Sequence, residues 1–246
     1  MKRVAFLGAK KIGLECLTLL DAKKEEGQFS IDALFTDLTR NREANLKLIE
    51  FARARNIGIY EDIGSILSLP EFDYIISIQY SQILKREHIR RARKLAVNLH
   101  MAPLPEYRGC NQFSFAIVDG KREFGTTLHK MEEGIDNGDI IAESRFPIPE
   151  NCFVQDLYEV TYQRSVELFD SHILKILTDR YTLTPQESLI AERGTKTIYR
   201  KDIGKLKEID LGWDKDKIER HIRACSMPGF EPPYFMMNDR KVHFSL

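Results

Sequence analysis

At 246 residues the chain has room for a sizeable buried core, arranged as one large domain or two small ones. A hydrophobic share of 43% and a charged share of 30% are ordinary for a soluble globular protein, and 37 basic against 37 acidic residues leave no net charge. That balance argues against a protein that grips a nucleic-acid backbone, and no apolar run approaches the roughly 20 residues of a membrane span.

Residues 3–7 read as a short buried strand, and Gly8 and Gly13 frame the turn into an amphipathic helix that runs to about residue 22. The glycines fall as G-x-x-x-x-G, and the sequence does not fix an acidic residue at the end of the second strand. The opening is therefore Rossmann-like without the fingerprint of a nicotinamide cofactor. A second strand is expected over 30–36 and a helix over 41–55, with Leu46, Ile49 and Ala52 on one face. Further strands follow over 57–60 and 73–78, and strands alternating with helices imply a parallel sheet.

A helix over about 85–93 leads into the apolar run Leu95-Ala96-Val97, a buried strand that delivers Asn98 and His100 on one face at its carboxyl end. Open α/β sheets do their chemistry at that edge. Pro103, Pro105 and Gly109 then forbid regular structure, so the chain turns over the site as a restricted loop. About 36 residues beyond His100, the loop Gly134-Ile135-Asp136-Asn137-Gly138-Asp139 offers a carboxylate on a glycine-flanked turn. Asn, His and Asp are the side-chain types needed to move an acyl group onto an amine.

Residues 112–119 read as a helix with Phe113, Ala116 and Ile117 at one-turn spacing, ended by Gly120. Strands over 124–130 and 140–146 are expected to pair, and a long helix over 154–177 closes the catalytic part. The character then changes. A strand over 195–200, a helix over 214–224 capped by Asp214, an aromatic, proline-rich turn over 228–235 and a last strand over 241–244 make up the tail. The expected division is a catalytic domain over 1–183 and a small β-rich subdomain over 184–246, too short for a core of its own and so packed on the first.

The run from Asn98 to Gly109, with Gly125-Thr126-Thr127-Leu128-His129 and Gly134-Ile135-Asp136-Asn137-Gly138-Asp139-Ile140, resembles the signature of the folate-dependent formyltransferases. The match covers roughly residues 1–180 and rests on two motifs that agree in residue type, order and spacing. Ala102 stands where many members carry Ser or Pro, and Asn137 where Thr is common. The resemblance implies an α/β, Rossmann-like, mostly parallel sheet and 10-formyltetrahydrofolate as co-substrate, with no metal. It implies Asn98, His100 and Asp136 as catalytic residues. It assigns Gln79, Tyr80, Leu84, Gly134, Ile135 and Asp139 to folate, and Met101, Pro103, Tyr107, Arg108 and Gly109 to the acceptor. Read without the family, Tyr80 and Leu84 are equally good core residues, and Asp136 an Asx-type turn former. His88, His129, His172, His221 and His243 show no comparable setting.

The acceptor must be read from the tail. From Pro185 onward there are twelve Lys/Arg and ten Asp/Glu, which is no RNA-facing surface. The run around Arg223, with Phe230 and Tyr234, is similar to the end of the nucleotide-sugar N-formyltransferases. These act on amino sugars linked to dTDP, GDP or UDP on the way to surface polysaccharide. That resemblance implies a nucleotide-linked dideoxy-amino sugar, best a dTDP-linked one, and a homodimer formed through the tail. Phe230 and Tyr234 are then positioned to stack on a base and Arg223 to meet a pyrophosphate; the plainer alternative is that they only glue the tail down. Methionyl-tRNA or glycinamide ribonucleotide formylation, or non-catalytic binding of folate and nucleotide sugar, are the competing functions. Cys16, Cys110, Cys152 and Cys225 form no C-x-x-C pair, so zinc and disulfides are not expected. The amino terminus enters directly into Val4-Ala5-Phe6 without a leader, and the expected setting is the cytoplasm, away from membranes and nucleic acid.

Overall fold

A computed structural model describes residues 1–39 and 42–244 of the chain. Its strands, in chain order, are β1 (Lys2–Gly8), β2 (Phe29–Phe35), β3 (Gly58–Tyr60), β4 (Phe72–Ile78), β5 (Ala92–His100) and β6 (Arg108–Gly109). They continue with β7 (Glu123–Lys130), β8 (Ile140–Pro147), β9 (Thr197–Ile198), β10 (Tyr234–Met237) and β11 (Arg240–His243). Seven of them form one sheet in the order β3-β2-β1-β4-β5-β7-β8. The first five run parallel, and β7 and β8 are antiparallel additions. The chain starts on β1, builds outward to β3, then returns to lay β4 and β5 on the other side. The carboxyl ends of β1 and β4 therefore bound a crevice of the kind in which such sheets bind ligands.

The parallel strands are buried on both faces, which is why β1 reads as an unbroken apolar run. Its alternate residues serve different layers. Val4 and Phe6 join Ile12, Leu17 and Leu20 of the helix Lys10–Ala22 and Phe169 and Ile173 of the helix Val154–Leu177. Ala5 and Leu7 face the opposite layer with Phe35, Ile63, Ile66 and Leu84. A third cluster ties the tail down: Ile198, Leu206, Ala224 and Cys225 share a core with Ala102, Tyr107, Phe124, Phe146 and Leu157.

The long helix, the helix Lys10–Ala22 and the β7–β8 pair match the sequence expectations closely. Others do not. The helix expected over 85–93 is a single turn, Arg86–Ile89, because Ala92 already pairs with Phe72 and the Arg91 carbonyl accepts from the Phe72 amide. The helix expected from Asn41 is described as Arg42–Arg53, Asn41 itself lying outside the described residues. Its inner face is Asn45, Leu48, Ile49 and Ala52, so Ile49 and Ala52 lie where the periodicity places them and Leu46, 41% exposed, does not. The strand expected over 195–200 shrinks to β9, and Tyr234–Met237 is a strand rather than a turn, forming a hairpin with β11. The tail also carries three helices, Glu187–Arg193, Gly204–Lys207 and Lys215–Cys225, around that strand pair. Among the described residues no helix is long and apolar enough to cross a membrane.

Asp214 caps the last of these helices as its sequence position suggests, its carboxylate accepting from the Lys217 amide at 2.9 Å. Asp214→Ala is expected to remove about 1 kcal/mol of stability, read as a lower urea midpoint at unchanged slope.

Candidate active site

β5 carries Asn98 and His100 to the carboxyl edge of the sheet, and β7 pairs against them so that Asn98 faces His129 and His100 faces Thr127. Beyond His100 the chain leaves the ladder, and its buried carbonyls need new donors. β7 supplies them. The Thr126 hydroxyl donates to the His100 carbonyl at 3.0 Å and the Thr127 hydroxyl to the Ala102 carbonyl at 2.8 Å. Gln112 adds its amide to the Met101 carbonyl at 3.4 Å. The two threonines of the motif thus hold the shape of an irregular loop.

Asp136 arrives from the other motif with φ 45°, a left-handed conformation that Asp tolerates better than most residues. The Gly109 amide donates to Asp136 Oδ2 at 2.9 Å. His100 Nδ1 lies 3.5 Å from the same oxygen, and His129 Nε2 lies 3.6 Å from Oδ1. His129 Nε2 is also 3.1 Å from Asn98 Nδ2. The structure therefore gathers Asn98, His100 and Asp136 at one place, and adds His129 as a fourth member. The two imidazoles meet edge to face, with centroids 6.3 Å apart, on either side of the carboxylate. His100 Nε2 is 2.7 Å from the Tyr107 carbonyl, which can only accept, so Nε2 carries a proton and Nδ1 is the nitrogen turned toward Asp136.

Burial by itself would raise the proton affinity of Asp136, but His100, His129 and the Gly109 amide outweigh it and hold the carboxyl far below the usual carboxylate range. A depressed value in the folded state means that ionised Asp136 stabilises the fold above the ordinary value of 3.8 and that this contribution is lost as pH falls toward the folded-state value. Urea denaturation of wild type should accordingly show a loss of stability below about pH 4 that Asp136→Asn lacks.

Gln186, which the sequence reading missed, locks the arrangement from the tail. Its side chain is buried, with Nε2 donating to the carbonyls of Asp136 at 2.8 Å and Gly138 at 2.7 Å. Its Oε1 accepts from Arg108 Nε and Nη2 at 3.0 and 2.7 Å. Arg108, read from the sequence as an acceptor contact, is thus spent on a clamp, and the Gly109 amide on Asp136. Tyr107 donates its hydroxyl to Asp119 at 2.9 Å, and Met101 and Pro103 are buried. In this conformation these residues shape the loop rather than present side chains to a ligand. Arg223 is likewise engaged, donating to the Cys152 carbonyl at 3.2 Å, and Tyr234 is buried against His243, which leaves only Phe230 open at 69% exposure.

Of the residues assigned to folate, Leu84 is buried and Tyr80 half-buried in the layer below the crevice, while Gln79 sits at the carboxyl end of β4 with φ 54°. Tyr80 Oη is buried without a hydrogen-bond partner. Ile135 is 39% exposed and Gly134 exposed, at the tip of a loop closed by Asn137 Nδ2 donating to the Glu133 carbonyl at 2.9 Å. Asp139 contributes its carbonyl to the Lys130 amide at 2.9 Å. Among the described residues no group of three His, Cys, Asp or Glu is placed to hold a metal ion.

Lys10, also missed, stands at the carboxyl end of β1 with its ammonium 3.0 Å from Gln79 Oε1. Burial lowers its proton affinity, and the neighbouring Arg200 lowers it further. Arg200 is brought there through the tail: β9 pairs with β6, and Asn111 Nδ2 donates to the Arg200 carbonyl at 3.2 Å. A half-buried cation whose charged neighbour is another cation is a place for an anion.

Amide donor, imidazoles and ionised carboxylate at one sheet edge can hold an oxyanion while protons move on either side of it, which is acyl transfer without a covalent intermediate. The chain belongs to the formyl transferase family, whose profile matches residues 18–172. It is 29% identical over 220 residues to the GDP-perosamine N-formyltransferase of Brucella melitensis, covering 87% of this chain and 82% of that one. A sugar N-formyltransferase from Shewanella sp FDAARGOS_354 superposes with a TM-score of 0.81 at 21% identity, covering 100% of this chain and 97% of the other. WlaRD, a sugar 3N-formyl transferase solved with dTDP and 5-N-formyl-THF, gives 0.79 at 25% identity, covering 98% and 85%.

Proposed function

We propose that this chain transfers the formyl group of 10-formyltetrahydrofolate to the amino group of a nucleotide-linked amino sugar, on the way to surface polysaccharide. The observation that carries the reading is the convergence of Asn98 and His100, from the end of β5, with Asp136, from the distant 134–139 loop. The relatives supply the chemical class: a GDP-sugar enzyme by sequence, and a sugar enzyme holding dTDP and a formyl-folate by structure.

Asn98 donates an amide N–H to the oxygen that becomes negative when the amine attacks the formyl carbon. Asp136, ionised and more exposed than His100, takes the proton that the amine sheds, directly or through a water. His100, anchored by Nε2–H on the Tyr107 carbonyl, receives that proton at Nδ1 from Asp136 Oδ2, 3.5 Å away, and passes it to the folate nitrogen as its bond to carbon breaks. The products are the formamide and tetrahydrofolate, with every proton accounted for. The unpartnered Tyr80 hydroxyl at the end of β4 is a buried polar atom that a hydrogen-bonding ring such as a pterin can satisfy. Lys10 and Arg200 take the diphosphate of the acceptor, the role that Arg223, held at Cys152, does not fill.

The test is incubation with formyl-folate and a panel of dTDP-, GDP- and UDP-linked amino sugars, followed by mass spectrometry for the gain of one carbonyl. The sequence favours the dTDP sugars and the Brucella relative the GDP ones, and the panel separates them. Lys10→Met is expected to raise KM for the accepted sugar about tenfold with a smaller change in kcat. Formylation of methionyl-tRNA or glycinamide ribonucleotide alone, or binding without product, would reject the reading. Homodimerisation belongs to the same proposal: Met236 and Met237 of the hairpin are 46% and 55% exposed, and light scattering should find a dimer.

A further inference from the structure

We propose that His129 is a positioning residue that sets which end of the Asn98 amide faces the reacting carbon, and that a proton on its Nε2 reverses that choice. For its catalytic consequence this inference rests on the proposed formyl-transfer reading of the site.

The argument is one of donors and acceptors. His129 Nδ1 is 2.9 Å from the Lys130 carbonyl, which only accepts, so Nδ1 bears a hydrogen. In the neutral ring Nε2 then holds a lone pair, and the atom 3.1 Å away must be a donor. Asn98 satisfies this by turning Nδ2 toward His129, and the second hydrogen on that nitrogen is left for a formyl oxygen. An unsupported amide has no such preference, since its two ends are nearly equal in shape. The opposite rotamer would offer a carbonyl to a developing negative charge and oppose the reaction.

Protonation at Nε2 changes the sign of this contact. The new N–H faces Asp136 Oδ1 at 3.6 Å and can no longer accept from Asn98. The Asn98 amide then either turns its oxygen to His129 or loses its support. The titratable groups facing His129 are Asp136, from the 134–139 loop, and His100, from β5, whose ring centre is 6.3 Å away; the strand on its other side, β8, presents Ile140. Burial enforces the coupling, because His129 is 2% exposed and bulk water cannot substitute for either partner.

Two substitutions separate this role from simple packing. His129→Leu fills the space without an acceptor, whereas His129→Gln brings a carbonyl that can accept from Asn98 and does not titrate. With formyl-folate and the accepted amine, His129→Leu is expected to lower kcat at least about tenfold while both KM values stay within about twofold. His129→Gln should recover most of that loss at neutral pH, because its carbonyl restores an acceptor that a proton cannot remove. Equal rates for the two variants, both shown to be folded by their melting curves, would overturn the proposal, as would a wild-type rate in His129→Leu. A second readout needs no acceptor. The side-chain NH2 resonances of Asn98 in full-length ¹⁵N-labelled protein, assigned by their loss in Asn98→Asp, should move with pH in wild type and stay fixed in His129→Gln. Resonances that titrate identically in both would reject the inference even if the acceptor proved to be something other than a sugar.

Discussion

Asp136→Asn is expected to lower kcat at least about a hundredfold while the protein still unfolds as one cooperative unit. The substitution keeps the shape, and the Asn oxygen can still accept from the Gly109 amide 2.9 Å away. What it removes is the negative charge between two imidazoles. A neutral amide cannot take a proton from the incoming amine, and it offers either ring no negative charge at 3.5 or 3.6 Å. KM should change little, because in the proposed reaction the carboxylate acts on the amine as charge develops rather than on the bound ground state. His100→Ala should be at least as damaging, since it removes the proton donor and frees the Tyr107 carbonyl. Near-wild-type turnover in both variants would mean that these groups do not touch the reacting atoms.

Gly109→Ala is expected to cost about 2–4 kcal/mol of stability and to remove most of the activity with it. Gly109 has φ +90°, a conformation that L side chains rarely adopt, and an added Cβ would stand 2.1 Å from the Ile198 carbonyl. No flexible side chain can yield there; the backbone of β9 itself must move. Because the Gly109 amide donates to Asp136, the same shift loosens the carboxylate. Gly120→Ala is the control. At φ +64° it also strains the backbone, but nothing lies within 4 Å of its Cβ, so it should cost only about 1 kcal/mol and leave turnover unchanged. A Gly109 variant as stable and active as the Gly120 one would show that β6 and β9 are not coupled to the site.

The buried parallel strands and the long helix were legible because their signal is local: apolar runs bounded by turn residues, and a 3.6-residue period sustained from Val154 to Leu177. The trio was legible for a different reason, since Asn98 and His100 end a buried run and Asp136 lies on a glycine-flanked turn. His129 was passed over although strand alternation places it on the same face as Thr127, and only the register with β5 brings it opposite Asn98. Register is a long-range property that a single chain does not spell out. Gln186 had no signal at all, being one polar residue after a proline. Lys10 offered a faint one, a lysine in the first strand-to-helix turn, and its partner Arg200 lies 190 positions away. The bonds that Arg108 makes to Gln186 and Arg223 to the Cys152 carbonyl left no mark in the sequence, because an arginine near a motif looks free until the carbonyl or amide that occupies it is known.

Gln186 reaches back to the catalytic loop, and β9 reaches back to Gly109. During synthesis every strand of the seven-stranded sheet is present once β8 has emerged, yet the loop that bears the carboxylate still lacks the fastener that the tail supplies through Gln186. A nascent chain halted after the long helix would thus lack the Gln186 amide, the β9 strand and the tail's share of the third core cluster. By the same dependence, an exchanged tail would have to bring its own amide clamp and its own strand to hold these two loops.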